Sequence, residues 1–321
     1  MFRPSRLIMI VAGSCLSLLS SVLSPAWASA ATGAVGAGRG DVVYVDSASG
    51  DLYLDSHVDG AIRRLTWTGG AHDPAWSPDG RTITYDRAGD IWLLTVGGPR
   101  RRLTFDGRSA DPAFFADGRT IAYSRDVGAG LRDIFLVPAA GGASRRLSSA
   151  ARSGCSASQP TWTVTGPAVV YVRSNPGTGT CSQGLVRQRL GSTGALIVAA
   201  PADHPVFTTD GSHLVFLAPC DRELCNGQGV WTTTASGADR HPVAGILVQE
   251  WTCAEGDRCL EAIAGSPFGG WAEAGTWGDP DTGQASTCFQ GVMENADGDE
   301  TLTDPSLCVS VISVDFAVRP A

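Results

Sequence analysis

The sequence predicts an all-β fold: a six-bladed β-propeller of four-stranded antiparallel blades, with seven blades as the alternative. Three observations carry this expectation. A segment opening on Pro and an aromatic residue recurs at offsets of 38, 48 and 45 residues. Short alternating stretches separated by Gly-rich turns follow the copies, and periods of about 40–45 residues with strand-like content mark propeller blades. The 40 Gly and 18 Pro among 321 residues oppose long helices.

The composition is 43% hydrophobic and 17% charged, which excludes a disordered chain. No internal apolar run is long enough for a transmembrane helix. The net charge of −8 disfavours nonspecific nucleic-acid binding. All 24 basic residues are Arg, and they are unevenly placed: residues 1–190 hold 20 Arg against 14 acids, residues 191–321 hold 4 Arg against 18 acids.

Residues 1–30 read as a signal peptide. Arg3 and Arg6 precede the apolar stretch Leu7 to Leu23, and Ala28-Ser29-Ala30 is a small-residue cleavage site. Export to the periplasm or the exterior follows. Residues 31–40 read as a flexible linker, and 41–321 as the propeller, irregular and disulfide-bonded after about 247.

Within 41–66, three strand candidates (Val42 to Val45, Leu52 to Leu54, Arg63 to Thr66) match the last three strands of a unit. The next unit is complete. Pro74-Ala75-Trp76 opens a strand, Asp79-Gly80 turns it, and Thr82 to Tyr85 alternates. Asp90 to Leu94 makes a third strand, Gly97-Gly98 turns again, and Arg101 to Thr104 makes a fourth. Units follow at about 109, 157 and 202, with a degenerate copy centred on Trp251. The run Cys308 to Val314 is expected to supply the missing strand of the first unit and close the ring.

The string P-A-W-S-P-D-G-R-T-I-T-Y, followed by D-I-W, G-G and R-R-L-T, resembles the repeat of TolB-type (WD40-like) β-propellers. The resemblance is close over 71–148 and fair over 157–243, and it does not include the TolB amino-terminal domain. It implies that the Pro-aromatic strand is innermost. The residues just before each Pro would then ring one mouth of the channel: His72, Asp73, Asp111, Gln159, His204 and Glu250. Such residues serve partner contact, or are simply solvated by channel water; no metal and no catalytic residue is assigned to them.

Removing the leader leaves eight cysteines, an even count that reads as disulfides in an exported chain. Local order suggests Cys155–Cys181, Cys220–Cys225, Cys253–Cys259 and Cys288–Cys308, one of 105 connectivities. Arg63-Arg64, Arg100 to Arg102 and Arg145-Arg146 are expected on solvated outer edges, where charge blocks sheet-to-sheet pairing. No Gly-x-Ser-x-Gly nucleophile elbow occurs. The expected function is a monomeric, non-enzymatic exported propeller without cofactor. It would bind an envelope or extracellular protein or a polysaccharide, in envelope assembly or transport. The alternative is a metal-assisted polysaccharide lyase or other hydrolase on the same scaffold.

Overall fold

Four short strands per repeat cannot bury both faces of one sheet, so successive sheets must stack on one another. The computed structural model of the chain shows this arrangement. It describes residues 41–46, 48–56, 61–163, 166–177, 181–208, 211–219 and 229–242, together with the backbone of Gln228 and of five strands beyond residue 258. The leader, the linker, Cys220, Cys225, Glu250, Trp251 and Cys253 lie outside the described residues.

The expectation of six blades, or seven, is corrected. Five blades are each built from four consecutive strands, and the one further four-stranded sheet is a composite of strands from the two ends of the propeller. The first is β4 (Ala71–Trp76), β5 (Thr82–Arg87), β6 (Asp90–Thr95) and β7 (Arg100–Arg102). The second is β8 (Ser109–Phe114), β9 (Thr120–Gly128), β10 (Leu131–Pro138) and β11 (Arg145–Arg146). The third is β12 (Ser156–Trp162), β13 (Ala168–Ser174), β14 (Gly184–Arg189) and β15 (Ala195–Val198). The fourth is β16 (Asp203–Phe207), β17 (His213–Pro219), β18 (Gln228–Thr234) and β19 (His241–Pro242). The fifth is β20 (Cys259–Gly265), β21 (Trp271–Gly278), β22 (Ala285–Glu294) and β23 (Glu300–Val309).

Residues 41–66 lack an inner strand of their own. They give only β1 (Val42–Asp46), β2 (Asp51–Ser56) and β3 (Ala61–Arg64), and β24 (Phe316–Val318) completes a composite sheet in the order β24-β1-β2-β3. Its inner strand is not the run Cys308 to Val314, because Cys308 and Val309 end β23. The pairing is instead Val42 with Val318 and Tyr44 with Phe316. The inner strands β4, β8, β12, β16 and β20 touch in turn, and β24 touches both β20 and β4.

The core lies between blades. Val43, Val45, Leu52 and Leu54 of the composite sheet pack on Trp76, Ile83 and Tyr85 of the first blade. The second boundary buries Ile91 and Leu93 against Phe114 and Tyr123. At the third, Ile134 and Leu136 meet Trp162 and Tyr171; at the fourth, Val172 and Leu185 meet Phe207 and Phe216. The aromatic residue after each repeat Pro is thus the plug that fills the gap to a neighbouring sheet. Burial pushes the Tyr171 hydroxyl up to about 12.

A buried carboxylate organises three sheets in the same way. Asp51, Asp90 and Asp133 lie at or near the start of the third strand of their units and are almost fully buried. Each is ion-paired to the Arg ending the fourth strand: Arg64, Arg102 and Arg146. Each also accepts the hydroxyl two residues further on, that of Thr66 (2.8 Å), Thr104 (3.2 Å) or Ser148 (2.6 Å). Burial alone would raise the Asp51 carboxyl, but the Gly69 N–H, the Thr66 hydroxyl, Arg64 and the Thr68 N–H together hold it below the usual range. These Arg are therefore structural partners rather than solvated edge charges. Arg101 does face solvent, and it donates to the Ala140 carbonyl of the second blade at 2.8 Å.

The third blade replaces the whole set at once. Register aligns Val186 and Leu196 with Phe135 and Arg146, so Gly184, Leu196 and Val198 stand where the acid, the base and the hydroxyl would be. A Cβ on Gly184 would lie 1.8 Å from the Val198 carbonyl oxygen. The strands there approach too closely for an Asp.

Candidate functional site

The inner strands share one irregularity. Register shifts occur between His72 and Ala75, Ala110 and Ala113, Ser158 and Thr161, and Asp203 and Val206. Each marks a β-bulge, in which one extra residue is inserted and a side chain re-aimed. The bulged residues before Pro are Asp73, Asp111, Gln159 and His204, with φ of 47°, 53°, 49° and 47°. None is Gly, so each holds a left-handed backbone at a cost of about 1–3 kcal/mol.

In the last three of these residues that backbone turns the N–H toward the preceding blade. The Asp111 N–H meets the Asp86 carboxylate. The Gln159 N–H donates to Asp111 Oδ2 at 3.2 Å, and the His204 N–H to Gln159 Oε1 at 2.9 Å. Side chain to backbone, the links run through four successive blades. All four bulged residues are half-buried, and His72 is exposed beside them. The structure thus brings together five of the six residues expected at the mouth.

The sequence reading missed the residues behind this ring. Asp86 lies opposite His72 in the β4–β5 register, hydrogen-bonds to Asp73 and is only 6% exposed. Burial pushes its carboxyl up to about 6, and the charge of Asp111 adds to this; the Asp73 hydrogen bond and His72 oppose it. Ser124 occupies the same place one unit later, donating to Asp111 Oδ2 at 2.5 Å. Arg132 donates to Ser124 Oγ at 2.8 Å and stands 3.7 Å from Asp111 Oδ2. The alternation of strands β5 and β9 was the signal that would have found Asp86 and Ser124. The inner strand of the fifth blade is also irregular: its register shifts between Leu260 and Ala262, which leaves Glu261 as the extra residue.

Among the described residues no group of three or more His, Cys, Asp or Glu is arranged to hold a metal ion. The expected Cys155–Cys181 disulfide is present, with Cα atoms 5.8 Å apart, and it pins the start of β12 to the loop before β14. Cys288 and Cys308 are opposed in the β22–β23 register. No helix of the described residues is long and apolar enough to cross a membrane.

Antiparallel four-stranded sheets whose inner strands touch in a closed succession define a β-propeller. The chain is a TolB-like β-propeller in its fold. It is similar to TolB from Acinetobacter baumannii at a TM-score of 0.65 and 16% identity, over 88% of this chain and 67% of that one. A putative TolB from Agrobacterium tumefaciens matches at a TM-score of 0.56 and 16% identity, over 88% and 91% of the two chains. A periplasmic gluconolactonase from Pseudomonas aeruginosa matches at 0.50 and 13%, over 87% and 99%. No family model matches the chain. No curated protein matches it either. At these identities the likeness is one of fold, and a propeller scaffold hosts binding proteins and enzymes alike.

Proposed function

We propose that this chain is an exported, non-enzymatic propeller that binds another protein or an envelope polymer at the channel mouth ringed by Asp73, Asp111, Gln159 and His204. The observation that carries this reading is the set of four left-handed non-glycine residues at equivalent bulges. Besides linking the blades, these four positions gather carboxylate, amide and imidazole groups at the same place on successive inner strands. Strain of this kind is kept where a site must be held in one geometry. The Cys155–Cys181 disulfide supports export, since such bridges persist in oxidising compartments.

The test is site-specific photo-crosslinking in cells. A photoreactive residue replaces exposed His72 at the mouth or, as a control, exposed Arg119 after the β8–β9 turn. An adduct at position 72 that is absent at 119 is expected, and mass spectrometry of the adduct identifies its chemical class. Equal labelling at both positions, or none at 72, overturns the reading.

A further inference from the structure

Two large aromatic residues stand in solvent on the loops that lead into β4 and β8. Trp67 is 69% exposed and Phe105 is 74% exposed. They occupy the same place in successive units: each lies four residues before an inner strand, β4 or β8, and one residue after the hydroxyl that caps the buried carboxylate. Both loops therefore enter the face on which Asp73 and Asp111 stand.

The fold does not require an aromatic there. The equivalent position of the next unit is Ser149 and of the one after it Ala199, and the second and third blades form in the same way. Nor are these loops loosely held. Asp51 Oδ1 accepts the N–H of Thr68 at 2.8 Å and of Gly69 at 2.9 Å, and Arg87 Nε donates to the Gly69 carbonyl at 2.8 Å. In the next unit Asp90 Oδ1 accepts the Gly107 N–H at 3.2 Å. The paired guanidinium groups also lie over the rings: Arg64 Cζ is 6.0 Å from the Trp67 centroid, and Arg102 Cζ is 4.9 Å from that of Phe105. Each aromatic is thus fixed in its exposed position before anything binds, which lowers the entropy cost of association.

Charge indicates what docks. The acids that bond to these two loops have basic partners of their own: Asp51 with Arg64, Asp90 with Arg102, and Asp106 with Arg125 at 2.7 Å. Arg87, held by backbone carbonyls, and exposed Arg108 leave the patch with excess positive charge. Trp and Arg are the residues enriched where proteins bind proteins, and a positive patch selects a negative one.

We propose that Trp67 and Phe105 are paired anchors of a docking surface for an acidic partner protein, which inserts them into apolar pockets while its carboxylates meet the surrounding Arg side chains. This extends the mouth reading outward to one side of the ring and rests on it only in sharing the same face.

The experiment pans a displayed random-peptide library on the purified chain, counter-selected on the Trp67→Ser/Phe105→Ser variant. Serine is chosen because Ser149 holds this place one unit later. Enriched peptides should join Asp and Glu to an apolar anchor. They should bind either single variant about tenfold more weakly, a typical anchor loss, and weaken with added NaCl, while the melting temperature of the variants stays put. Binders indifferent to both substitutions, or no enrichment, overturn the proposal. So does Trp67-dependent binding of polygalacturonate in place of peptides. Binders lost with Gln159→Ala but kept by the Ser variants sink this surface and leave the mouth standing; the opposite pattern does the reverse.

Discussion

The side-chain oxygen of Gln159 accepts the backbone N–H of His204 at 2.9 Å, across the boundary between the third and fourth blades. Both residues have positive φ, and Gln159 gives its own N–H to Asp111 one blade earlier. Blade-to-blade packing is apolar and nearly non-directional, whereas these bonds set the angular relation of neighbouring inner strands.

The strain at Gln159 can be separated from its bonding. Gln159→Ala and Gln159→Gly both remove the acceptor for His204, a loss of about 1 kcal/mol. Only glycine relieves the left-handed backbone, so Gln159→Gly should be more stable than Gln159→Ala by about 1 kcal/mol in urea denaturation. Equal midpoints would show that the backbone is not strained.

Asp86 should give the fold a pH dependence of uncommon sign. Its folded pKa, raised to about 6, lies above the ordinary value of 3.8. The stability it contributes is complete below that ordinary value and is lost as the pH rises through about 6. Asp86→Asn keeps the position neutral and hydrogen-bonded to Asp73. Relative to the parent, the variant should gain about 1–2 kcal/mol at alkaline pH and nothing near pH 4. Urea midpoints at the two pH values decide; parallel curves refute the assignment.

The buried acid, base and hydroxyl of the second blade should behave as one unit. Asp133→Ala strands the Ser148 hydroxyl and Arg146, at an expected cost of about 2–3 kcal/mol. The cost is set below that of a fully buried pair because the Arg146 side chain is 36% exposed. Installing the third blade's own set, Asp133→Gly with Arg146→Leu and Ser148→Val, should cost at least about 1 kcal/mol less than the three single changes summed. Strict additivity in thermal unfolding would refute the coupling.

Cysteine connectivity has a direct readout. Peptide mapping without reductant should recover Cys155 joined to Cys181, closing a 26-residue separation, and Cys288 joined to Cys308, as their opposed register favours. Cys155→Ser/Cys181→Ser should lose about 2–4 kcal/mol. Recovery of either pair as free thiols, or crossed with other cysteines, would exclude that bridge.

Much of the scaffold was legible because its repeat is carried by unusual residues. Pro followed by an aromatic, Asp-Gly turns and Asp-Ile pairs each do a separate physical job, and their spacing located the strands of the first two blades and the inner strands of the next two to within a few residues. The fifth blade was not legible. Its inner strand Cys259–Gly265 has neither Pro nor an aromatic residue, so the search fell on Trp251 instead. The closing strand was misread because alternation runs on through Cys308 to Val314, and nothing local says where β23 stops.

The mouth residues were visible as an outward sign, the residue before each Pro, while their purpose was not. The links between blades are relations across distances of 48 and 45 residues. No local window contains both partners. Trp67 and Phe105 escaped notice for a different cause: an aromatic in a hydrophobic pattern reads as core until its solvent exposure is known.

Because β24 follows all five continuous blades in the chain yet pairs with β1 at their head, a growing polypeptide carries an unsealed seam until residue 318 has been delivered. Up to that moment β1 offers a bare edge, and β4 and β20 lack the strand that touches them both. The latch therefore acts as a completion check: a chain cut short before it stays ajar, and quality-control proteases are given an opening that the finished molecule denies them.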